Sequence, residues 1–350
     1  MLAERVIEPN GYFLPEWALA VNGSAHKRAH TSALNVQDNA TGAMIGLVPV
    51  VSAWSAYKLP MPALVSADPF RSLDTPLLDY DVPDEAAAAL IDQARKAGAH
   101  ALILRLVALE GPAMKAFGRA LQKSGLRTRV LQSYSRAVLD ATQDAETLLR
   151  GALGSKKLKE LRRLRNRLGE HGEVTFKVAS AAEAVARAFD VFLTLEASGW
   201  KGRAGTAIGQ QPDDATRMRQ AAIELAARGQ CEVVTLNAGT IPVAAGIVLR
   251  HNDRAFFFKI GINEKFAAYS PGVQLTLDLT RHLCADPRIV MADSTASADH
   301  PMINPIWRGR LAIGDVVIPL RRNDPMVPVI YWALRAHAFA RAMALRLLRR

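Results

Sequence analysis

The sequence predicts an α/β protein in which mixed sheets are flanked by helices and two domains share the chain. The length of 350 residues exceeds that of one typical domain. Half of the residues are apolar, which is enough for a sizeable core. Short strand-like runs alternate with helical ones. The predicted parts are an N-terminal domain (1–145), a C-terminal domain (146–325) and a separate amphipathic basic helix (326–350).

The first predicted domain alternates strands and helices. Apolar runs and 3.6-residue periodicity predict strands 43–51, 101–106 and 129–139 and helices 84–97 and 112–124. Gly98 and Gly125 follow the two helical runs. Glycine is typical there because it adopts the left-handed conformation that often ends a helix.

The second predicted domain follows the order α, β, α, α, β, β, β, α, β, α, β. Its elements are predicted as helices 155–168, 181–197, 219–228, 272–284 and 301–309 and strands 173–178, 231–237, 242–250, 255–262, 288–293 and 315–320. The hexapeptides 43–48 and 243–248 both place a glycine inside an apolar strand. A duplicated domain would leave such an echo.

A basic amphipathic helix is predicted over 328–350. The apolar stripe that is expected to dock it on the rest of the protein consists of Trp332, Ala336, Phe339, Met343 and Leu347. The arginines of this helix also allow peripheral contact with a membrane surface.

The net charge of +11 comes from two segments. Residues 150–170 hold eight Lys or Arg against two Glu, and residues 321–350 hold seven Arg against one Asp. This confinement favours solvated faces or local anion contacts over a surface that coats a polyanion. Nucleic acid is therefore not the favoured partner, although it is not excluded.

The first helix of the second domain is the more basic of these segments. Its predicted apolar stripe consists of Leu158, Leu161, Leu164 and Leu168, with Lys156, Lys159, Arg163 and Arg167 pointing away. A solvated face over the leucines is one interpretation. A contact with a coenzyme phosphate, a nucleic acid or an anionic glycan is the other.

Neither a membrane-spanning segment nor a metal site is predicted. The longest uncharged stretch, 39–57, contains two Gly and one Pro, and its most apolar part is too short to span a bilayer. The N-terminus carries Glu4 and Arg5 without an apolar run, so no signal peptide is predicted and the protein is expected in the cytoplasm. Cys231 and Cys284 lack metal-type spacing and are expected to be inert.

The most informative segment is 256–275, which runs from a strand through a short loop into a helix. Ser270-Pro271-Gly272 suits the start of that helix, because Pro fits the first turn and Gly lets a ligand approach the backbone. Helix N-termini collect N–H groups and partial positive charge, so a pyrophosphate is a natural ligand there. An ordinary helix start without a ligand is the alternative.

This segment resembles the coenzyme A loop of the GNAT superfamily of acyltransferases, in which a splayed strand precedes a pyrophosphate loop and a helix. A closer similarity, to the CelD/BcsL type associated by name with cellulose biosynthesis, rests on 195–206, 269–272, 293–302 and Trp307. The two-part organisation is similar to that of the FemAB aminoacyltransferases. The resemblance implies tandem GNAT-like domains, of which the N-terminal one is expected to be non-catalytic.

The resemblance also implies that acetyl-CoA or another acyl-CoA is the co-substrate, without a metal. The residues assigned to it are Ile260, Gly261 and Ile262 at the thioester and Ser270, Pro271, Gly272, Val273 and Gln274 at the pyrophosphate. The common loop of the superfamily has Gln or Arg followed by spaced glycines. Of these glycines this sequence retains Gly272.

Glu196 is the first candidate for a general base. It continues the apolar stripe that includes Phe189 and Phe192, and it lies in the last turn of its helix, where the dipole disfavours negative charge. A carboxylate at such a position is a candidate for function. A structural salt bridge to Lys201 or Arg203 is the alternative.

Two further residues are assigned to catalysis. Asp293 ends a strand, where the ligand sites of α/β proteins gather, and would bind or deprotonate the acceptor. An Asx turn over Ser294 and Thr295 is the alternative. Tyr269 would protonate the departing thiolate, with packing under the loop as its alternative.

The residues assigned to the acceptor are Trp200, Lys201, Lys259 and His300. Trp200 and Lys201 lie in a loop flanked by glycines that would close over the substrate, with a plain mobile loop as the alternative. His300 would serve as a base or an acceptor contact, and a capping or surface role is its alternative.

The predicted function is transfer of an acyl group from acyl-CoA to an amine acceptor, a small molecule or a glycan, with a link to polysaccharide (cellulose) biosynthesis. One alternative is aminoacyl transfer from aminoacyl-tRNA, with the basic helix in segment 150–170 gripping the RNA. Another is a non-catalytic binding module built on the same fold.

Overall fold

The computed structural model describes residues 1–23 and 31–347. The strands are β1 (Ser32–Gln37), β2 (Met44–Ser52), β3 (Ala63–Ser66), β4 (Leu77–Leu78), β5 (Ala101–Ala108), β6 (Arg129–Asp140), β7 (Val174–Ala179), β8 (Cys231–Ala238), β9 (Ile241–His251), β10 (Arg254–Ile262), β11 (Met291–Asp293) and β12 (Gly309–Pro319). The helices are α1 (Pro15–Asn22), α2 (Ala53–Tyr57), α3 (Pro83–Lys96), α4 (Pro112–Gln122), α5 (Ala145–Leu168), α6 (Ala182–Ser198), α7 (Trp200–Arg203), α8 (Pro212–Ala227), α9 (Pro271–Cys284) and α10 (Met326–Leu347).

The chain divides into two compact units. In the described residues, unit 1 consists of 1–13, 31–134 and 312–347, and unit 2 consists of 14–23 and 135–311. The end of the chain, with most of β12 and all of α10, therefore belongs to unit 1. The domain bounds at 145 and 325 stay a prediction.

Unit 1 is built on a mixed sheet in the order β1-β2-β3-β5-β12. The pairs β1–β2, β2–β3 and β5–β12 are antiparallel, whereas β3 and β5 run parallel. α3 packs against α4 and against β1, β2 and β5. Leu90 of α3 and Phe117 of α4 are fully buried in this layer.

Unit 2 has a mixed sheet in the order β6-β11-β10-β9-β8-β7. β7 to β10 form an antiparallel meander, and β11 runs parallel to β10 and antiparallel to β6. The predicted hairpin between β9 and β10 is confirmed, with Asn252 and Asp253 as its loop. Asn252 has a φ of 50°, which asparagine tolerates better than most residues.

Helices flank the sheet of unit 2. α6 contacts β8, β9 and β10 and packs on α8, and α1 also packs on α8. α5 and α9 share a core with the sheet, in which the buried residues include Leu161, Leu168, Val234, Leu236, Val248, Leu275 and Leu279. The predicted leucine stripe of α5 is confirmed, and its basic residues 156, 159, 163 and 167 are exposed.

One element predicted near the end of unit 2 is wrong, and another is shorter than predicted. No helix forms over residues 301–309: residues 301–306 form turns and Gly309 already begins β12. A helix here would have Pro305 in its middle, which removes an N–H donor. The strand predicted at 288–293 begins only at Met291. The preceding residues form a turn in which the Arg288 N–H donates to Asp286 Oδ1 at 3.0 Å.

The stripe predicted to dock α10 is also wrong. α10 packs on unit 1 through Val327, Ile330 and Leu334, which are buried, whereas Trp332 and Phe339 are 66% and 70% exposed. The helix offers two apolar stripes, and periodicity alone does not tell which of them is covered. Neither α10 nor another helix within the described ranges is both long and apolar enough to cross a bilayer.

Because the carboxyl group of Asp74 is buried in unit 1, we expect the stability of the protein to depend on pH. Burial raises the pKa of its carboxyl to about 7, although Arg105 opposes the shift. Because the folded-state pKa exceeds the unfolded value, the stability that this group contributes at acidic pH is lost as the pH rises through about 7. We expect wild type to lose more free energy of unfolding than Asp74→Asn between about pH 5 and pH 8.

Urea unfolding at both pH values measures this difference. Asp84 on α3, which is a surface carboxylate paired with Arg119 at 2.7 Å, supplies the control, because Asp84→Asn is expected to keep the wild-type pH dependence. Equal pH dependence of wild type and Asp74→Asn would show that the buried carboxyl does not titrate in this range.

Candidate active site

In unit 2, β10 continues further than its parallel neighbour. The pairing of β10 with β11 ends at Phe256 and Asp293, whereas β10 extends along β9 to Ile262. Beyond β11, Thr295 has a φ of 48°, and its hydroxyl donates to the carbonyl oxygen of Phe257 at 2.8 Å. The segment after β11 therefore separates from the second half of β10, and a gap opens between them.

A cavity of about 200 Å³ lies in this gap. It is lined by Phe257, Phe258, Lys259, Ile260, Ser294, Thr295, Ala296, His300, Met302 and Ile303. Its walls are mainly apolar, and Lys259 and His300 supply nitrogen atoms to them. The cavity is smaller than pockets that enclose a drug-sized ligand, about 300–1,000 Å³, so it suits the reacting end of a larger substrate.

Lys259 and Glu196 form an ion pair at the back of this cavity. Lys259 Nζ lies 3.5 Å from Glu196 Oε1, and Glu196 Oε2 accepts a hydrogen bond from the Ile208 N–H at 2.9 Å. The side chain of Glu196 is 0% exposed and that of Lys259 is 21% exposed. Lys259 lines the cavity and is the more exposed partner of this pair, whereas Glu196 is not among the lining residues.

Gly261 allows this pair to form. A Cβ atom at this position would lie 2.8 Å from the main-chain nitrogen of Glu196, which is closer than packed atoms approach. α6 and β10 therefore meet backbone to backbone at Gly261. The salt bridge that was the alternative for Glu196 exists, but with Lys259; Arg203 pairs instead with Glu264 at 2.8 Å.

Asp293 lies beside the cavity in a buried ion pair. Its Oδ2 accepts a hydrogen bond from Arg136, and both side chains are 1% exposed. Its Oδ1 accepts the Thr295 N–H at 2.8 Å, which is the Asx turn considered as the alternative. In this arrangement the carboxylate fixes the turn that opens the gap and does not line the cavity.

The first turn of α9 follows β10 closely. α9 begins at Pro271, after Ser270 in the left-handed conformation with a φ of 53°. Ser270 and Val273 are half-buried, whereas Pro271 is buried. A ligand therefore has access to this turn at Ser270 and Val273.

Gly272 and Gln274 face inward from the same turn. A Cβ atom on Gly272 would lie 2.9 Å from Met302 Sδ, so this glycine lets the segment after β11 approach α9. The main-chain N–H of Gln274 donates to the Ser270 carbonyl at 3.0 Å, and its side-chain amide donates to the Leu161 carbonyl at 2.8 Å. The main-chain N–H and the side-chain amide of Gln274 therefore each donate a hydrogen bond within the protein.

Tyr269 brings the end of α5 to the start of α9. Its hydroxyl oxygen lies 3.0 Å from His171 Nε2, and the guanidinium carbon of Arg167 lies 5.9 Å from its ring centroid. Tyr269 thus faces α5 and is not among the residues that line the cavity. Through Tyr269, Arg167 of α5 and His171 of the turn after α5 therefore lie near the start of α9.

Trp200 and Lys201 are placed by backbone only. Both belong to the short helix α7, and their side chains lie outside the described part of the structure. Their assignment to the acceptor stays a prediction.

Neither cysteine has the properties of a nucleophile. Burial raises the pKa of the Cys231 thiol, and burial also raises that of Cys284, so both thiols are neutral near pH 7. Within residues 1–23 and 31–347, no three His, Cys, Asp or Glu side chains are grouped so that they could hold a metal ion.

The structure gathers some of the predicted site residues and separates others. Lys259, Ile260 and His300 line one cavity, and Glu196 contacts Lys259. Sequence reasoning missed Met302, which both lines the cavity and covers the start of α9. The motif 293–302 contains this residue, but the return of that segment to α9 is a tertiary contact that the motif does not encode.

A family model of known proteins matches much of unit 2, the unit that contains the cavity. Residues 155–296 match the family model described as the acetyltransferase (GNAT) domain. The fold is similar to that of FemX, with a TM-score of 0.60 and 10% identity over 94% of this chain and 96% of that chain. It is also similar to the C-terminal domain of a putative lysylphosphatidylglycerol synthetase from Agrobacterium fabrum, with a TM-score of 0.54 and 13% identity over 86% of this chain and 87% of that chain.

These likenesses establish the fold. At such identities they carry no substrate or activity to this chain, and no curated protein matches it. The predicted fold class, α/β with tandem GNAT-like domains and mixed sheets flanked by helices, is confirmed. The sequence of residues 155–296 is thus similar to the acetyltransferase (GNAT) domain family.

Proposed function

We propose that the protein is an N-acyltransferase that moves an acyl group from acyl-CoA, with acetyl-CoA as the first candidate, to an amine acceptor. The observation that supports this most is the separation of β10 from β11 beside a cavity that contains Lys259 and His300. The cavity lies next to the start of α9, because Met302 contributes to both. A donor could therefore bind along β10 with its phosphates at α9.

The donor phosphates are assigned to the first turn of α9 and the end of α5. Ser270 and Val273 are accessible at a helix N-terminus, where partial positive charge favours anions. Arg167 lies against Tyr269, directly before this turn. The guanidinium group would add a charge-assisted contact to a phosphate.

The acyl group is assigned to the cavity. The amine nitrogen attacks the thioester carbonyl carbon; the C–N bond forms, the C–S bond breaks, and the thiolate leaves and takes up a proton. Lys259 would stabilise the negative charge that develops on the carbonyl oxygen. His300 would accept the proton from the amine, since histidine exchanges protons near neutral pH.

Glu196 is assigned a positioning role. Its carboxylate is enclosed between Lys259 and the Ile208 N–H, so it would act on the reaction by holding the ammonium group. The acceptor class, a small-molecule amine or a glycan amine, stays a prediction. The same applies to the link with polysaccharide (cellulose) biosynthesis and to the CelD/BcsL type.

Binding of coenzyme A tests the proposal. We expect wild type to bind coenzyme A in isothermal titration, and Arg167→Gln to weaken the affinity about tenfold, because one charge-assisted contact is removed. Lys157 on the same helix, which is exposed and pairs with Glu160 at 3.1 Å, provides the matched control. Lys157→Gln should bind as wild type does.

The outcomes separate the candidate functions. Absence of coenzyme A binding by wild type would refute the acyl-CoA proposal. Binding of coenzyme A without acetylation of any member of a broad amine panel would favour the non-catalytic module.

Aminoacyl transfer from tRNA is the second candidate, and the exposed basic face of α5 favours it. If α5 grips RNA, tRNA affinity should fall steeply with salt and be lost in Lys156→Gln/Lys159→Gln/Arg163→Gln. If α5 is only a solvated face, tRNA affinity stays weak in wild type and in this variant alike.

A further inference from the structure

The outer face of α10 is an exposed apolar stripe on unit 1. The large apolar side chains on it are Val329, Trp332, Phe339 and Met343, which are 54%, 66%, 70% and 41% exposed. Together with the exposed residues Ala336 and Ala340, they fall on one face of the helix at the three- to four-residue spacing of an α-helix. We call these six residues the outer stripe. Soluble proteins seldom expose so continuous an apolar patch, so the outer stripe indicates an interaction surface.

The helix that carries the outer stripe is fixed to unit 1 by its other side. Ile330 and Leu334 are buried in a core with Val65, Ile103 and Val317, and Val327 is also buried. The outer stripe is therefore not the surface by which α10 is held in place. Within the described residues it is presented to the outside on a supported helix.

Arginines surround α10 on unit 1. A cavity of about 680 Å³ beside its first turn is lined by Arg127, Arg129, Arg321 and Arg322, with Asp324 as its acidic residue. A second cavity of about 310 Å³ under its later turns is lined by Arg71, Arg335 and Arg341, with Asp315 as its acidic residue. The two cavities beside α10 are thus lined by seven arginines and two carboxylates.

The carboxylates in these cavities are already engaged. Asp315 accepts hydrogen bonds from the Leu106 N–H at 2.9 Å and from Gln132 at 2.7 Å. Asp324 lies 2.8 Å from His100 Nδ1. Each carboxylate also pairs with one of the arginines, Asp315 with Arg71 at 3.9 Å and Asp324 with Arg321 at 4.0 Å. Because seven arginines and two carboxylates line the two cavities, the surroundings of α10 carry a net positive charge that an anionic surface would complement.

This combination favours a lipid surface over other occupants. A second copy of the chain would bring the arginines of two helices together, and like charges repel. A nucleic acid would complement the arginines, but it would leave the outer stripe in water. A bilayer with anionic headgroups complements both features, because apolar side chains enter the headgroup boundary and cations meet the phosphates.

We propose that the outer stripe of α10 docks unit 1 on the surface of a bilayer that contains anionic phospholipids. α10 would lie in the plane of the interface, with Trp332 and Phe339 inserted and the arginines at the level of the phosphates. This role is independent of acyl transfer, since it uses unit 1 alone.

Co-sedimentation of the full chain with vesicles tests the proposal. We expect binding to vesicles of phosphatidylcholine mixed with phosphatidylglycerol, and affinity at least about tenfold weaker for phosphatidylcholine alone. Trp332→Glu/Phe339→Glu is expected to lower the affinity for the mixed vesicles more than about tenfold. The substituted side chains are exposed, so the far-UV circular dichroism of the variant should match that of wild type.

Leu19 on α1 provides the matched control, because it is 74% exposed and belongs to unit 2. Leu19→Glu should bind the mixed vesicles as wild type does. Equal binding to both kinds of vesicle, or equal binding by wild type and the double variant, would overturn the proposal. A third outcome would also overturn the proposal. In it, wild type does not bind vesicles but forms a concentration-dependent dimer in light scattering, and the double variant does not form this dimer.

Discussion

Replacement of Asp293 by Asn is expected to lower the free energy of unfolding by about 3–5 kcal/mol. The reason is that Arg136, at 1% exposure, would remain buried after losing the carboxylate that balances its charge. The Asx turn with Thr295 would also lose a charged acceptor. Urea unfolding followed by circular dichroism measures the change.

A surface pair and a compensating pair serve as controls. Asp190 pairs with Arg219 at 2.8 Å, but both side chains are exposed, so Asp190→Asn should cost less than about 1 kcal/mol. Arg136→Met in the Asp293→Leu background should recover part of the lost stability, since apolar side chains can replace a buried pair. A loss below about 1 kcal/mol in Asp293→Asn would show that the pair does not stabilise the turn.

Lys259→Met is expected to lower kcat about 100- to 1,000-fold while coenzyme A affinity changes little. The substitution removes the ammonium group from the cavity but retains an unbranched side chain of similar length. Steady-state acylation of an accepted amine, combined with calorimetric coenzyme A binding, separates the two effects. Lys259→Arg, which keeps a positive charge, should retain more activity than Lys259→Met.

Lys265 provides the control for this prediction. It is exposed on the turn between β10 and α9, so Lys265→Met should leave kcat within a few-fold of wild type. A kcat for Lys259→Met that is also within a few-fold would remove Lys259 from the chemical step. A melting temperature near that of wild type is needed for either conclusion, because Lys259 also contacts buried Glu196.

The elements with strong local patterns could be predicted from the sequence, and weakly patterned ones could not. The meander β8–β10 and helix α9 have continuous apolar runs or a clear stripe, and their predicted bounds are confirmed within two residues. β1 has alternating burial over only six residues and was missed. α1 was missed because its pattern gives no hint that it packs on α8.

The site shows a similar limit. The stripe of α6 predicts correctly that Glu196 faces inward, but its partner Lys259 lies on another element and cannot be read from spacing. The partner of Asp293 is Arg136, 157 residues earlier in the sequence. Local geometry, such as the Asx turn at Thr295, was within reach of sequence reasoning because it involves neighbours.

A crystal structure with bound coenzyme A would locate the donor site in unit 2. We expect the sulfur atom in the cavity beside Lys259, the pantetheine chain along the part of β10 beyond Phe256, and the pyrophosphate at Ser270 and Val273. Coenzyme A bound elsewhere, for example in the arginine-lined cavities of unit 1, with the cavity beside β10 empty, would rule out the proposed donor site.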